Sequence, residues 1–293
     1  MSAISFDTLA AIEKSPGYWS GVARRFRRDP VAMIALVLVV GLVLMAVFAP
    51  WIAPADPYKS SMLRRLRPIG TPGYPLGADE LGRDMLSRLI YGARLSLLMG
   101  VTPVLIAFLV GSVIGITAGY VGGRINSALM RTIDIFYAFP SVLLAIALSG
   151  ALGAGIFNGL LSLTIVFIPP IARIAESVTT SVRKIEYVEA ARASGAGGFT
   201  IVRVHVLGNV VGPIFVYATG LISVSLILAS GLSFLGLGVK PPEPEWGLML
   251  NTLRNAIYVQ PWVAALPGLM IFITSVSFNL LSDGLRSAMD IKA

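Results

Sequence analysis

Long uninterrupted apolar runs alternate along this chain with short polar segments rich in glycine and arginine. A hydrocarbon core about 30 Å thick is crossed by roughly 20 apolar helical residues. Six segments reach that length, at 31–53, 95–119, 129–151, 156–176, 213–236 and 261–282, and they predict six transmembrane helices. Asp29 is placed to N-cap the first, with Pro30 at its first helical position. That run is longer than a signal peptide's and its polar leader is too long, so an uncleaved anchor is expected. Between 79 and 94, Leu81, Met85, Leu86, Leu89 and Ile90 share one helical face while Arg83, Asp84 and Arg88 fall elsewhere, which predicts a helix lying along the membrane surface. Gly111, Gly115 and Gly119 recur every four residues and strip one face of the second span for a close neighbour. Pro103, Pro140, the Pro169-Pro170 pair and Pro267 predict bends in other spans.

Composition sharpens the picture. The chain is 56% hydrophobic and 13% charged, with a mean hydropathy of +0.81, against roughly 25% charged in an ordinary soluble domain. An all-α integral membrane protein follows. The net charge of +8 is scattered in short clusters without a basic face interleaved with aromatics, so nucleic acid is not the expected partner and membrane lipids are. There is no cysteine and the single histidine is His205, which excludes disulfides and zinc sites of the Cys/His kind. None of the five lysines, Lys14, Lys59, Lys184, Lys240 and Lys292, follows a glycine, so the usual phosphate-cradling loop is absent. Arg24, Arg25, Arg27 and Arg28 beside the first span put the N-terminus in the cytoplasm, and six spans return the C-terminus there.

The expected division is a cytoplasmic leader at 1–30, a first span at 31–53 and a periplasmic loop with an interfacial helix at 54–94. A five-span core follows at 95–285, containing a cytoplasmic loop at 177–212, and then a cytoplasmic tail at 286–293. Arg131 with Asp134, Arg173 with Glu176, and Asp283 with Arg286 are each three apart near span ends, a spacing that predicts pairing within one helix.

The 177–212 loop carries residues that lipid would reject. It predicts a helix from about Ser181 to Ser194, stopped by Gly195 in a left-handed cap, a Gly197-Gly198 turn, and a second short helix from Phe199 to Leu207. Tyr187, Ala190, Ala191 and Ser194 fall on one face, where small residues admit a soluble partner and the tyrosine can anchor it.

This segment resembles the EAA loop of ABC importer permeases. Glu189, Ala190, Ala191 and Gly195 match that pattern and Val206-Leu207 fit its ending, while Gly208 stands where proline is usual. Four further segments are similar to permeases of the dipeptide/oligopeptide/nickel type, specifically the C-type subunit of the pair: Leu76 to Leu97, His205 to Asn209, Pro244 to Gly247, and Phe278 to Asp290. Minor departures are Ala78, Ser282 and Ser287.

The resemblance implies a transport subunit with no catalytic residue and no metal, forming half of a translocation pathway for peptides or similar small solutes in the bacterial cytoplasmic membrane. It implies a second homologous permease, two ATP-binding subunits that carry the ATP and Mg, and a periplasmic or lipid-anchored substrate-binding protein. The ATPase-coupling residues would be Tyr187, Glu189, Ala190, Ala191, Ser194 and Gly195. The alternative is a secondary transporter or channel working without an ATPase, which would want mid-membrane charges, a selectivity loop or inverted repeats.

Overall fold

The computed structural model describes residues 18–289, so most of the leader and the end of the tail lie outside the described residues. Those described form helices and loops, with two isolated bridges and no strand. In chain order the helices are α1 (Tyr18–Arg28), α2 (Pro30–Val47), α3 (Ala49–Ile52), α4 (Met85–Val121), α5 (Gly123–Tyr137), α6 (Ser141–Leu152), α7 (Ile156–Val182), α8 (Glu186–Ala193), α9 (Gly198–Ile201), α10 (Leu207–Phe234), α11 (Trp246–Thr252) and α12 (Pro261–Met289).

Five helical runs are long and apolar enough to cross a membrane: α2, α4, α7, the run Gly198–Phe234 that contains α9 and α10, and α12. Where the single span 129–151 was expected, the chain forms the pair α5 and α6, bent by 84°, the geometry of a broken span or of a re-entrant loop. Pro140 explains the break, because it cannot donate to a continuing ladder and its ring disfavours the helical conformation of Phe139. The expected cap on α2 is present, with Asp29 Oδ1 accepting from the amides of Val31 at 2.9 Å and Ala32 at 3.1 Å.

The glycine stripe on α4 packs against α7. A Cβ on Gly111 would lie 3.0 Å from the Ile168 carbonyl, one on Gly119 would lie 2.7 Å from the Glu176 carbonyl, and one on Gly115 would strike the Ala172 carbonyl. Methyl-free backbone lets the two helices approach closely, which supplies dispersion contacts where lipid offers no hydrophobic drive. α10 completes this core, with Val210, Ile214 and Ala229 packed among Leu163, Val166 and Ile171 of α7.

The interfacial helix expected at 79–94 is not a separate element. A helix begins at Met85 and runs unbroken to Val121. Most of the expected apolar stripe turns inward: Met85, Leu89 and Ile90 are buried, the first two in one cluster with Trp246 and Met249, while Leu81 stays exposed. The polar residues are buried too. Arg83 Nε donates to Asp79 Oδ2 at 2.6 Å, Arg88 Nε lies 3.3 Å from the same oxygen, and Arg88 Nη1 donates to the Pro57 carbonyl at 3.0 Å. Asp84 caps α4 by accepting from the Ser87 amide at 2.8 Å.

At that same end the chain forms α11, an element the hydrophobic pattern did not reveal. Glu245 caps it through the amides of Gly247 at 2.9 Å and Leu248 at 2.8 Å, and takes the Ser96 hydroxyl at 3.1 Å. Burial pushes its carboxyl above the ordinary range, against the opposing effect of those bonds. The Trp246 indole donates to the Leu89 carbonyl at 3.0 Å and lies against Gly92. Nearby, Tyr58 donates to Glu243 at 2.9 Å, and partial burial together with that bond pushes its phenol up to about 12.

The charge pairs form differently from the spacing expectation. Asp134 pairs with Arg173 between α5 and α7, in place of the expected pairs Arg131 with Asp134 and Arg173 with Glu176. Glu176 instead accepts from Asn126 Nδ2 at 2.7 Å, and no ion pair joins Asp283 to Arg286. Neighbouring helices bring better partners than the helical turn does.

Candidate functional site

The polar loop after α7 starts from a clamp. Arg183 Nη1 donates to the Tyr120 carbonyl at 2.9 Å and to the Gly119 carbonyl at 3.3 Å, occupying acceptors that the end of α4 leaves without helical donors. Gly122, at φ +72°, leaves room for that guanidinium, which a Cβ there would meet at 2.5 Å. α7 therefore continues to Val182, deeper into the loop than the expected span end at 176, and α8 spans only Glu186–Ala193 in place of the expected 181–194. The break at 183–185 is a turn closed by Lys184 N to Ser181 O and Ile185 N to Val182 O.

α8 stands on a narrow footing. Val188 is fully buried and Ala191 half-buried, while Glu186, Tyr187, Glu189, Ala190, Arg192, Ala193, Ser194 and Gly195 are exposed. Glu186 and Glu189 lie in the first turn, where negative charge complements the helix dipole. The stop is as expected. Gly195 takes φ +85°, its amide donates to Arg192 O at 3.0 Å and the Ala196 amide donates to Ala191 O at 3.1 Å. These two bonds make a Schellman cap, which requires a left-handed residue at this position.

Of the expected contact face, the structure keeps Ala190 and Ser194 on the outer surface, where the Ser194 hydroxyl donates back to the Ala190 carbonyl at 2.9 Å. Tyr187 is engaged within the loop. Its hydroxyl accepts from Asn209 Nδ2 at 3.0 Å and its ring lies 6.1 Å from that of His205. The tyrosine thus ties α8 to the start of the next helix, in addition to showing part of its ring to solvent. That next helix does not stop at Leu207: α9, a π-helical segment Val202–Val206 and α10 form one continuous run. Gly208 sits inside the run, in the first turn of α10, with open space around it.

Sequence reasoning missed three exposed apolar side chains in the loop around α8. Phe199 is 81% exposed and Val204 61% exposed, with Ile185 also open. The sequence hid it, because Phe199 is followed by Val202 at i+3 and Val206 at i+7, a spacing that reads as an inward stripe. Among the described residues no group of three or more acidic, histidine or cysteine side chains is placed to hold a metal. The site offers shape, small residues and a braced helix, which suits mechanical contact.

Comparison with known proteins adds the family context. Residues 111–292 match the model described as binding-protein-dependent transport system inner membrane component, and residues 17–68 match that of the N-terminal TM domain of oligopeptide transport permease C. The chain is 40% identical over 274 residues to the glutathione transport system permease protein GsiD of Pectobacterium atrosepticum, covering 94% of this chain and 91% of that relative. It is 42% identical over 272 residues to the di/tripeptide transport system permease protein DppC of Pseudomonas aeruginosa, covering 91% and 90%. Among solved structures, an inward facing conformation of the MetNI methionine ABC transporter in its CY5 native crystal form aligns with a TM-score of 0.55 at 20% identity, covering 70% of this chain and 97% of that one. This last likeness shows the fold alone.

Proposed function

The chain belongs to the family of binding-protein-dependent transport system inner membrane components, and from that membership we propose that α8 is where it receives the work of separate ATPase subunits. The protein is a membrane-spanning permease subunit of an ABC importer and not an enzyme. Family membership sets aside the alternative of a transporter working alone.

The finer reading has four parts. The coupling residues are Glu189, Ala190, Ala191, Ser194 and Gly195 at the contact, with Tyr187 holding the loop together from behind. The partners are a second homologous permease, two ATP-binding subunits that carry the ATP and Mg, and a periplasmic or lipid-anchored substrate-binding protein. Both termini lie in the bacterial cytoplasm, on the side of α8, and the segments 54–84 and 235–260 face outward. The cargo is a peptide or similar small solute, in keeping with the glutathione and di/tripeptide systems named for the relatives.

The single observation that carries the coupling role is the build of α8. It is exposed on most of its surface, capped at Gly195, rooted in the main core through Val188, and follows directly on the foot of α7 that Arg183 ties to α4. A rigid element so mounted passes displacement to the spans instead of absorbing it. Reconstitution of the complete importer tests this reading. Gly195→Leu strains the left-handed cap by roughly 1–2 kcal/mol, and Glu189→Lys reverses charge on the exposed face. Each should lower ATP-driven uptake at least tenfold while the chain still inserts. Uptake at the wild-type rate in both variants would remove α8 from the coupling role.

A further inference from the structure

The face around the α5–α6 break is the most open part of the spans. Residues 134–140 are exposed without interruption, although α5 buries Met130 and Ile133 on its other side. A cleft of about 260 Å³ opens there, between Phe136, Tyr137 and Phe139 on one wall and Val166, Pro169 and Pro170 on the other. Its volume lies just below the ~300–1,000 Å³ typical of ligand pockets, which suits a small solute.

Three features give this cleft chemistry. Pro169 and Pro170 have no N–H, so the carbonyls of Ile165 and Val166 lack their helical donors, and Val166 lines the cleft. Four aromatic rings, those of Phe136, Tyr137, Phe139 and Phe167, offer faces for stacking and for a cation. The third feature is the Asp134–Arg173 pair. Asp134 is three residues before Tyr137 and Arg173 four residues after Pro169, so both charges fall one helical turn from the cleft on the faces that line it.

That pair is half-open, with Arg173 41% and Asp134 48% exposed. Hydrocarbon does not tolerate such exposure, and irregular backbone at membrane depth is found where it lines a water-filled cavity or is buried in protein. The two charges, one helical turn beyond the lining of a cleft with spare acceptors, complement a molecule that carries both an ammonium and a carboxylate.

We propose that this cleft is a station on the import pathway for a short peptide with both ends free, held at its charged ends by Asp134 and Arg173. The guanidinium takes the carboxylate as a forked pair, Asp134 takes the ammonium, and the Val166 carbonyl accepts from the peptide amide. The station rests on the importer reading above and adds to it the place in this chain that meets the cargo.

The test uses the complete importer in proteoliposomes, with radiolabelled dialanine and glutathione as probes, counting molecules imported per ATP hydrolysed. Asp134→Asn and Arg173→Gln should each lower that ratio at least tenfold for the probe that the wild type carries. In the wild type, a dipeptide of a photoreactive phenylalanine and alanine should label 134–141 or 165–170 during turnover, and excess dialanine should suppress the label. An unchanged ratio in both variants overturns the station. It would assign the ion pair to bracing α5 on α7, or on the second permease. Label confined to other segments overturns it equally. Import of neither probe by an importer that hydrolyses ATP would instead defeat the peptide class, and the station with it.

Discussion

Gly115 leaves no space for a side chain, because its hypothetical Cβ strikes the Ala172 carbonyl and crowds Glu176 N at 2.8 Å. Gly41, also within a span, has nothing within 4 Å. Gly115→Leu should therefore cost at least about 1–3 kcal/mol by overpacking, seen as a melting temperature several degrees lower in detergent, while Gly41→Leu should melt as the wild type does. Equal melting of the two variants would contradict the tight α4–α7 seam. This seam was legible in the sequence because a four-residue glycine period fixes one helix face whatever lies opposite. The charge pairs were not legible. Spacing along one helix carries no information about the neighbour, and Asp134 found Arg173 on another helix. Tyr187 was half legible: its place on the α8 face was readable, and its bond with Asn209, 22 residues away in sequence, was not.

For elements, glycine and proline left readable marks while starts without caps did not. The end of α8 follows from Gly195, since only a left-handed residue closes that cap. Its beginning was placed too early because Ile185, at the N-cap, makes no side-chain bond. The amphipathic stripe of 79–94 was read correctly as apolar on one face, but that face meets Trp246 and Met249 where headgroups had been expected. The short helix α11 is held by a carboxylate that is 1% exposed, and this has a pH consequence. Burial raises the Glu245 carboxyl in the folded state, so the folded chain holds its proton more tightly than the unfolded chain does. The associated stability is complete below the unfolded value, near 4.5, and is lost as pH rises through the folded value. Wild-type melting temperature should fall across that interval. Glu245→Gln should flatten the fall, at a cost of about 1 kcal/mol for one lost capping bond. Parallel pH profiles would show that Glu245 does not control it.

For the whole molecule, five of the six expected spans were legible from apolar length alone, and Pro140 announced the bend that breaks the other into α5 and α6. Which faces meet lipid was not, because several spans are apolar all round and carry no rotational signal. Sidedness is testable because the chain has no cysteine. In intact cells a membrane-impermeant maleimide should label Leu63→Cys, at a site 92% exposed in the outward segment, and spare Ser194→Cys. The reverse pattern would invert the topology.

The Arg183 clamp joins two crossings at one end. A single guanidinium fastens the foot of α7 to the last carbonyls of α4, and the stripped seam above it fits like a tongue in a groove. Two crossings joined at base and flank must lean together, like planks nailed edge to edge, so a nudge at the α8 elbow reaches both at once and neither can slide past the other.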